Sequence, residues 1–132
     1  PQKLENRTAY QADFSGNFGN LRCYAHVRTD LEQFLFYVIA PIKTPEASRS
    51  AVAEYLTRAN HRLRIGNFEM DYRDGEIRYR SSIDFEGTTL VPALIKNTIY
   101  PAVHTLDFYL PGLLSVMYGK QEPEEAIQAV GG

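Results

Sequence analysis

The sequence predicts an α+β fold: an antiparallel sheet and helices in the order β-β-β-α-β-β-α, closed by a C-terminal helical tail. Three observations predict it. Alternating apolar and polar residues fill Thr8–Ser15 and Leu21–Arg28, the period of a strand with one buried face. The period changes to a helical one after Thr44. Alternation then returns on both sides of Asp74-Gly75, a pair that favours a tight hairpin turn. Three strands and two strands separated by a helix pack as layers.

The first strand sets Tyr10, Ala12 and Phe14 on one face and Gln11 and Asp13 on the other. Residues 16–20, rich in Gly and Asn, tolerate positive φ and predict a loop. In the second strand Leu21, Cys23, Ala25 and Val27 face inward, and Arg22, Tyr24, His26 and Arg28 face outward. Gln33–Ala40 is a third strand, apolar at every position from Phe34 to Ile39, which predicts a central strand or one whose second face a partner covers. Thr44 is the expected N-cap of the first helix, with Pro45 in its first position and Glu46 at its positive end. Ala47, Ala51, Val52, Tyr55, Leu56 and Ala59 form its apolar stripe, and Asn60 is its stop.

Phe68–Tyr72 and Ile77–Phe85 form the hairpin. With Asp74-Gly75 as a two-residue turn, Arg73 faces Glu76, Asp71 faces Arg78 and Glu69 faces Arg80, three opposite-charge pairs on one face. The other face then pairs Tyr72 with Ile77, Met70 with Tyr79 and Phe68 with Ser81. Thr88 or Thr89 is the expected cap of a second helix running to about Leu110, with a kink near Asn97 ahead of Pro101. Pro111-Gly112 is expected to break it, with Leu113–Tyr118 resuming. Pro123, Glu124 and Glu125 open a short terminal helix.

Length and composition bound the function. The 132 residues suit one domain over residues 1–132, because two halves would each be short of a core. Lysine and arginine number 14 against 16 aspartates and glutamates, giving a net charge of −2 and a pI near 5.9. A dedicated nucleic-acid binder usually has a basic excess, so none is expected as a partner. The longest apolar run, Phe34–Ile42, contains Pro41 and falls well short of the ~20 residues of a membrane span. Pro1–Arg7 holds no apolar signal segment. A soluble, cytoplasmic protein without a membrane partner is the expectation.

Catalytic chemistry finds few candidates. Of His26, His61 and His104, only His104 has a carboxylate at helical spacing, Asp107, and no ligand cluster accompanies it. Cys23 is single and inward-facing, the behaviour of a small hydrophobe. Gly16-Asn17-Phe18-Gly19 lies between strands and lacks the following helix of a phosphate loop. The hairpin acids face arginines, which stabilise the anion and oppose a poised general acid. The basic set Arg58, Arg62, Arg64, Arg73, Arg78 and Arg80 alternates with acids, while Tyr72 and Tyr79 point to the other face, against a single-strand stacking surface. No metal or cofactor is expected.

One stretch resembles the YbjN family, a bacterial group under the provisional description of sensory transduction regulators. It runs Asn60-His61-Arg62-Leu63-Arg64-Ile65-Gly66-Asn67-Phe68-Glu69-Met70-Asp71 and continues through Asp74-Gly75-Glu76-Ile77-Arg78-Tyr79-Arg80 to Asp84. A second patch is Asp107-Phe108-Tyr109-Leu110-Pro111, and the likeness covers roughly residues 21–116. The resemblance implies a fold similar to type III secretion chaperones, small dimeric α+β proteins that bind other polypeptides and usually begin with a helix. That helix is expected to be absent or to lie upstream of Pro1. The family brings no catalytic residues to carry over.

The expectation is therefore a non-enzymatic protein-interaction protein, a homodimer with a polypeptide partner. The dimer is expected from the two apolar faces of Phe34–Ile39, the stripe of Leu94–Leu110 and the resemblance. Phe36, Tyr37, Tyr109 and Leu113 are the candidate contacts, large apolar groups of the kind that anchor interfaces. The alternative is a small-ligand binder or an enzyme with a pocket between sheet and helices.

Overall fold

The computed structural model of the chain describes residues 2–4 and 7–131, with side chains from residue 8 onward. The strands are β1 (Gln2–Leu4), β2 (Arg7–Gly16), β3 (Gly19–Arg28), β4 (Gln33–Ile39), β5 (Asn67–Met70) and β6 (Ile77–Asp84). The helices are α1 (Arg49–Arg62), α2 (Pro92–Met117) and α3 (Pro123–Ala129), and a 3-10 turn spans Glu46–Ser48. All six strands form one antiparallel sheet in the order β1-β2-β3-β4-β6-β5. The α+β class and the element order read from the sequence hold, with β1 as an addition.

Alternation in β3 and β4 directs the core. Leu21 and Cys23 of β3 and Phe34, Phe36 and Val38 of β4 are buried on one face. There they meet α2, which crosses β4 and β6, while α1 lies over β5. The three helices occupy that side only, so the sheet has a covered face and an open one. α3 packs on α1 and α2 through buried Ala126 and Ile127. Arg62 of α1 donates to the Ile127 and Gly131 carbonyls at 2.8 and 2.7 Å, satisfying acceptors that the end of α3 leaves without partners.

The structure corrects the sequence reading at several joints. The β2–β3 connection is tighter than a loop over 16–20, since Gly16 pairs with Gly19 across a turn at Asn17-Phe18. Asp107 of α2 holds that turn, accepting from the Asn17 backbone N–H at 2.9 Å and from its side-chain amide at 2.6 Å. Thr44 is not the cap of α1. Its N–H donates to the Gly75 carbonyl at 2.8 Å and its side chain is buried, so the chain turns once more as the 3-10 segment before α1 begins. Ser48 precedes α1, but its hydroxyl donates to the Met117 carbonyl at the end of α2.

The hairpin register is shifted by two residues. Glu69 faces Arg78 and Met70 faces Ile77, and the Asp71 N–H bonds the Glu76 carbonyl at 2.9 Å, leaving a four-residue loop over 72–75. Asp71 accepts from the Arg73 N–H and Asp74 from the Glu76 N–H, and these side-chain turns shape the longer loop. Gly75, at φ +81°, lies against Thr44, where a Cβ would stand 2.2 Å from the Thr44 carbonyl oxygen. Asp71 thus pairs with Arg73 at 2.8 Å instead of Arg78, and Tyr72 lies in the exposed loop rather than opposite Ile77. A shift of two keeps every side chain on its face, which is why alternation alone fixes only the parity.

α2 also differs. It starts at Pro92 with Val91 as its cap residue, not at Thr88 or Thr89, and runs unbroken through both Pro101 and Pro111 to Met117. Each proline removes one helical hydrogen bond, at a cost of about 3 kcal/mol. Buried Leu113, Val116 and Met117 beyond Pro111 offset it, at roughly 1.5–3 kcal/mol for each buried side chain.

Candidate interaction surface

Of the four contact candidates, Phe36, Tyr109 and Leu113 are core residues, at 2%, 7% and 1% exposure. Phe36 meets Phe14 edge to face, and the Tyr109 ring packs on Phe68. The Tyr109 carbonyl also accepts from the buried Tyr55 hydroxyl at 2.8 Å. Only Tyr37 stands on the open face of the sheet, where it is half-buried by its neighbours.

That face is built in rows by the strand register. One row runs Asp13, Arg22, Ile39, Arg78, Glu69 across β2, β3, β4, β6 and β5. The next runs Gln11, Tyr24, Tyr37, Arg80, Asn67, and a third sets His26 beside Leu35 and Ser82. Tyr37 is the centre. The Arg78 guanidinium carbon lies 4.3 Å from its ring centroid, within cation–π range, and His26 meets the ring edge to face at 5.9 Å. Tyr24, Leu35 and Ile39 are half-buried around it.

Arg78 and Arg80 share one carboxylate, Glu69, at 2.8 and 2.9 Å. Burial alone would raise the Glu69 carboxyl. The hydrogen bond from Arg78 and the charges of both arginines overcome that and hold it below the usual carboxylate range. Asp71 is held down to about 2 by its hydrogen bond from Arg73. Arg22 has no carboxylate within 4.0 Å among the described residues. It lines a cleft of about 300 Å³ with Tyr24, Tyr37, Ile39, Glu76 and Arg78. A second cleft of about 640 Å³ lies beside it along Glu69, Asp71, Arg73 and Glu76.

Cys23 is buried on the covered face, where burial and then the charge of Asp13 push its thiol up to about 12. It is therefore protonated at neutral pH, the unreactive form. Among the described residues no three His, Cys, Asp or Glu side chains converge as metal ligands. No described helix is long and apolar enough to cross a membrane.

Tyr24, His26 and Arg22 join Tyr37 without having been singled out as site residues. Their signal was present in the alternation of Leu21–Arg28, whose outward positions carry Arg, Tyr, His and Arg. Several residues in the family-like stretches instead have structural jobs. Asn60 bonds both backbone groups of Phe68 with its side chain, at 2.7 and 3.1 Å. Arg62 fastens α3 and Asp107 fastens the β2–β3 turn.

The sequence model of the YbjN family, described as "Putative bacterial sensory transduction regulator", matches residues 5–115. The match spans β2 to most of α2 and leaves α3 outside. No curated protein matches the chain.

Proposed function

The chain belongs to the YbjN family, and on that premise we propose a non-enzymatic protein-interaction protein of the cytoplasm that forms homodimers and binds a polypeptide on the open face of its sheet. The observation that carries this is the helix-free face centred on Tyr37, where a strip of Tyr24, Leu35 and Ile39 is flanked by arginines. Tyrosine and arginine around an apolar centre are the groups most enriched where protein interfaces hold their energy. The resemblance to secretion chaperones, whose fold binds other polypeptides, points the same way as an analogy of fold. An enzyme would need a free acid, base or nucleophile in a cleft. In the clefts here arginines hold Glu69 and Asp71 as weakly basic anions, and no Ser, Thr or Cys lines them beside His26 and Glu76.

Tyr37→Ser tests the assignment against Leu113→Ala. Affinity capture with the Tyr37→Ser protein is expected to lose partners that the unaltered protein retains, at an unchanged melting temperature. Leu113→Ala is expected to destabilise by about 2–5 kcal/mol, as a core truncation does. Robust turnover in hydrolase and nucleotide screens that survives repurification overturns the reading.

A further inference from the structure

We infer that the open face selects an acidic, extended polypeptide segment, its carboxylates meeting Arg22, Arg78 and Arg80 and its apolar side chains lying on Tyr24 and Tyr37. This inference rests on the interaction role proposed above and adds the chemistry of the partner.

The charge distribution carries it. Across the paired rows of β3, β4 and β6 the outward side chains include four arginines, Arg22, Arg28, Arg78 and Arg80, against Asp84, while Glu76, just ahead of β6, lines the cleft beside Arg22 and Arg78. Arg28 is neutralised by Asp30 at 2.8 Å, and Asp84 lies at the far end, bonded by Gln33. The remaining three arginines surround Tyr37, and Glu69 is the one carboxylate within 4.0 Å of them among the described residues. A chain of net charge −2 therefore concentrates positive charge at the middle of its open face. The acids Asp13 and Glu69 stand on the flanking strands β2 and β5.

This arrangement discriminates among occupants. A second copy seated face to face would set a cationic centre against a cationic centre, and like charges at close range act against a partner. A nucleic acid needs a basic track that neutralises successive phosphates. Here the cationic patch ends within a few residues in each direction, at Asp13 on one side and Glu69 on the other. A short acidic segment meets both conditions. Its carboxylates accept from guanidinium groups that Glu69 leaves with spare donors, since Arg78 uses its Nε and Arg80 one terminal nitrogen. The cleft of about 300 Å³ between Arg22 and Tyr37 accommodates an apolar side chain next to that contact.

Fluorescence anisotropy with four labelled probes tests this on the full chain. They are a peptide repeating Glu-Leu-Asp-Phe, its neutral Gln-Leu-Asn-Phe and basic Lys-Leu-Arg-Phe counterparts, and a thymidine oligonucleotide of similar length. The acidic peptide is expected to bind, to weaken with added salt, and to lose about tenfold or more in affinity with Arg22→Glu, as expected where a charge meets its reverse. Because Arg22 is exposed and stands opposite Asp13 on β2, Arg22→Gln, which sets no like charge there, is expected to lose affinity too at an unchanged melting temperature. Tyr37→Ser is expected to weaken the same peptide as an independent check at the apolar part of the site. Equal binding of the neutral peptide overturns the acidic preference and leaves the interaction role standing. Tighter binding of the oligonucleotide overturns both. Preference for the basic peptide, or binding of none of the four, overturns the inference.

Discussion

Glu69 is the residue on which the electrostatics of the open face turn, because one carboxylate holds two guanidiniums in place over the sheet. Its folded-state pKa lies below the ordinary 4.5. The stability it supplies is thus fully present above that value and is lost as the pH falls below it, through the folded pKa. The size at neutral pH is modest, at most about 1 kcal/mol, because the pair is partly solvent-screened. Urea unfolding of Glu69→Gln against the unaltered chain is expected to show a gap that closes as the pH drops below 4.5. A gap that stays constant down to the acid limit rules the contribution out. Taking the difference matters, since Asp71, Asp74 and Asp30 are also held low and add their own acid slopes to both proteins. At this scale the sequence was legible in residue type and face but not in depth. Tyr37, on a strand apolar on both faces, stands on the open one. Phe36, next to it in the chain, faces the helices, and Tyr109 and Leu113 lie on the side of α2 that the core covers. Which of two apolar faces is covered depends on where α2 crosses the sheet, and no local pattern states that.

The elements show where local signals yield to packing. Pro111-Gly112 carries a strong breaker signal, yet α2 passes through it because Gly112 is the point at which three helices meet. A Cβ there would stand 2.3 Å from the Tyr55 hydroxyl and 2.8 Å from Val130 Cγ2. Alanine is intrinsically better in a helix by about 1 kcal/mol, so an isolated helix would gain from Gly112→Ala. In this protein the substitution is expected to destabilise by roughly 1–3 kcal/mol, the usual cost of an overpacked core. Thermal unfolding checks the sign, and Tyr55→Phe supplies the partner in a double-mutant cycle. Without the hydroxyl the cost of Gly112→Ala is expected to shrink, while strict additivity would exclude the contact as its cause. The hairpin teaches a related lesson. Its charge pattern favours the register with Asp71 opposite Arg78, which has three opposite-charge pairs, over the one the chain adopts, in which Glu69 faces Arg78 but Asp71 faces Glu76 and Arg80 faces Asn67. The choice falls to the Asp71 and Asp74 turns and to the Gly75–Thr44 bond, a contact between residues far apart in sequence.

At the scale of the whole molecule, the cationic centre of the open face disfavours a second copy there, and one sheet edge is closed as well. Asn60 of α1 occupies both hydrogen-bonding groups of Phe68 on edge strand β5, standing where a neighbouring strand would pair. We propose the helix side of β2, beyond the cover of α2, as the contact between copies. Tyr10 is 46% exposed there and Tyr100 of α2 is 58% exposed, with Ala12 between the tyrosine and Phe14 along the strand. Phe14 meets Tyr100 edge to face at 6.3 Å, so strand and helix share one apolar strip. Tyr10, Ala12, Phe14 and Tyr100 bring no charge to it, and the same strip on a second copy can therefore pack against it around a two-fold axis without the repulsion that two arginine faces would suffer. Light scattering at micromolar concentration is expected to give twice the chain mass of 15.0 kDa. Tyr100→Glu places a charge at the centre of that strip and is expected to return the single-chain mass, with the melting temperature measured below the dimer's dissociation range unchanged. Binding of the acidic peptide should survive in the same variant, because Arg22 and Tyr37 lie on the opposite face of the sheet. A mass of 15.0 kDa for the unaltered chain refutes the dimer, and a dimer that persists in Tyr100→Glu but dissociates in Arg22→Glu moves the contact to the open face.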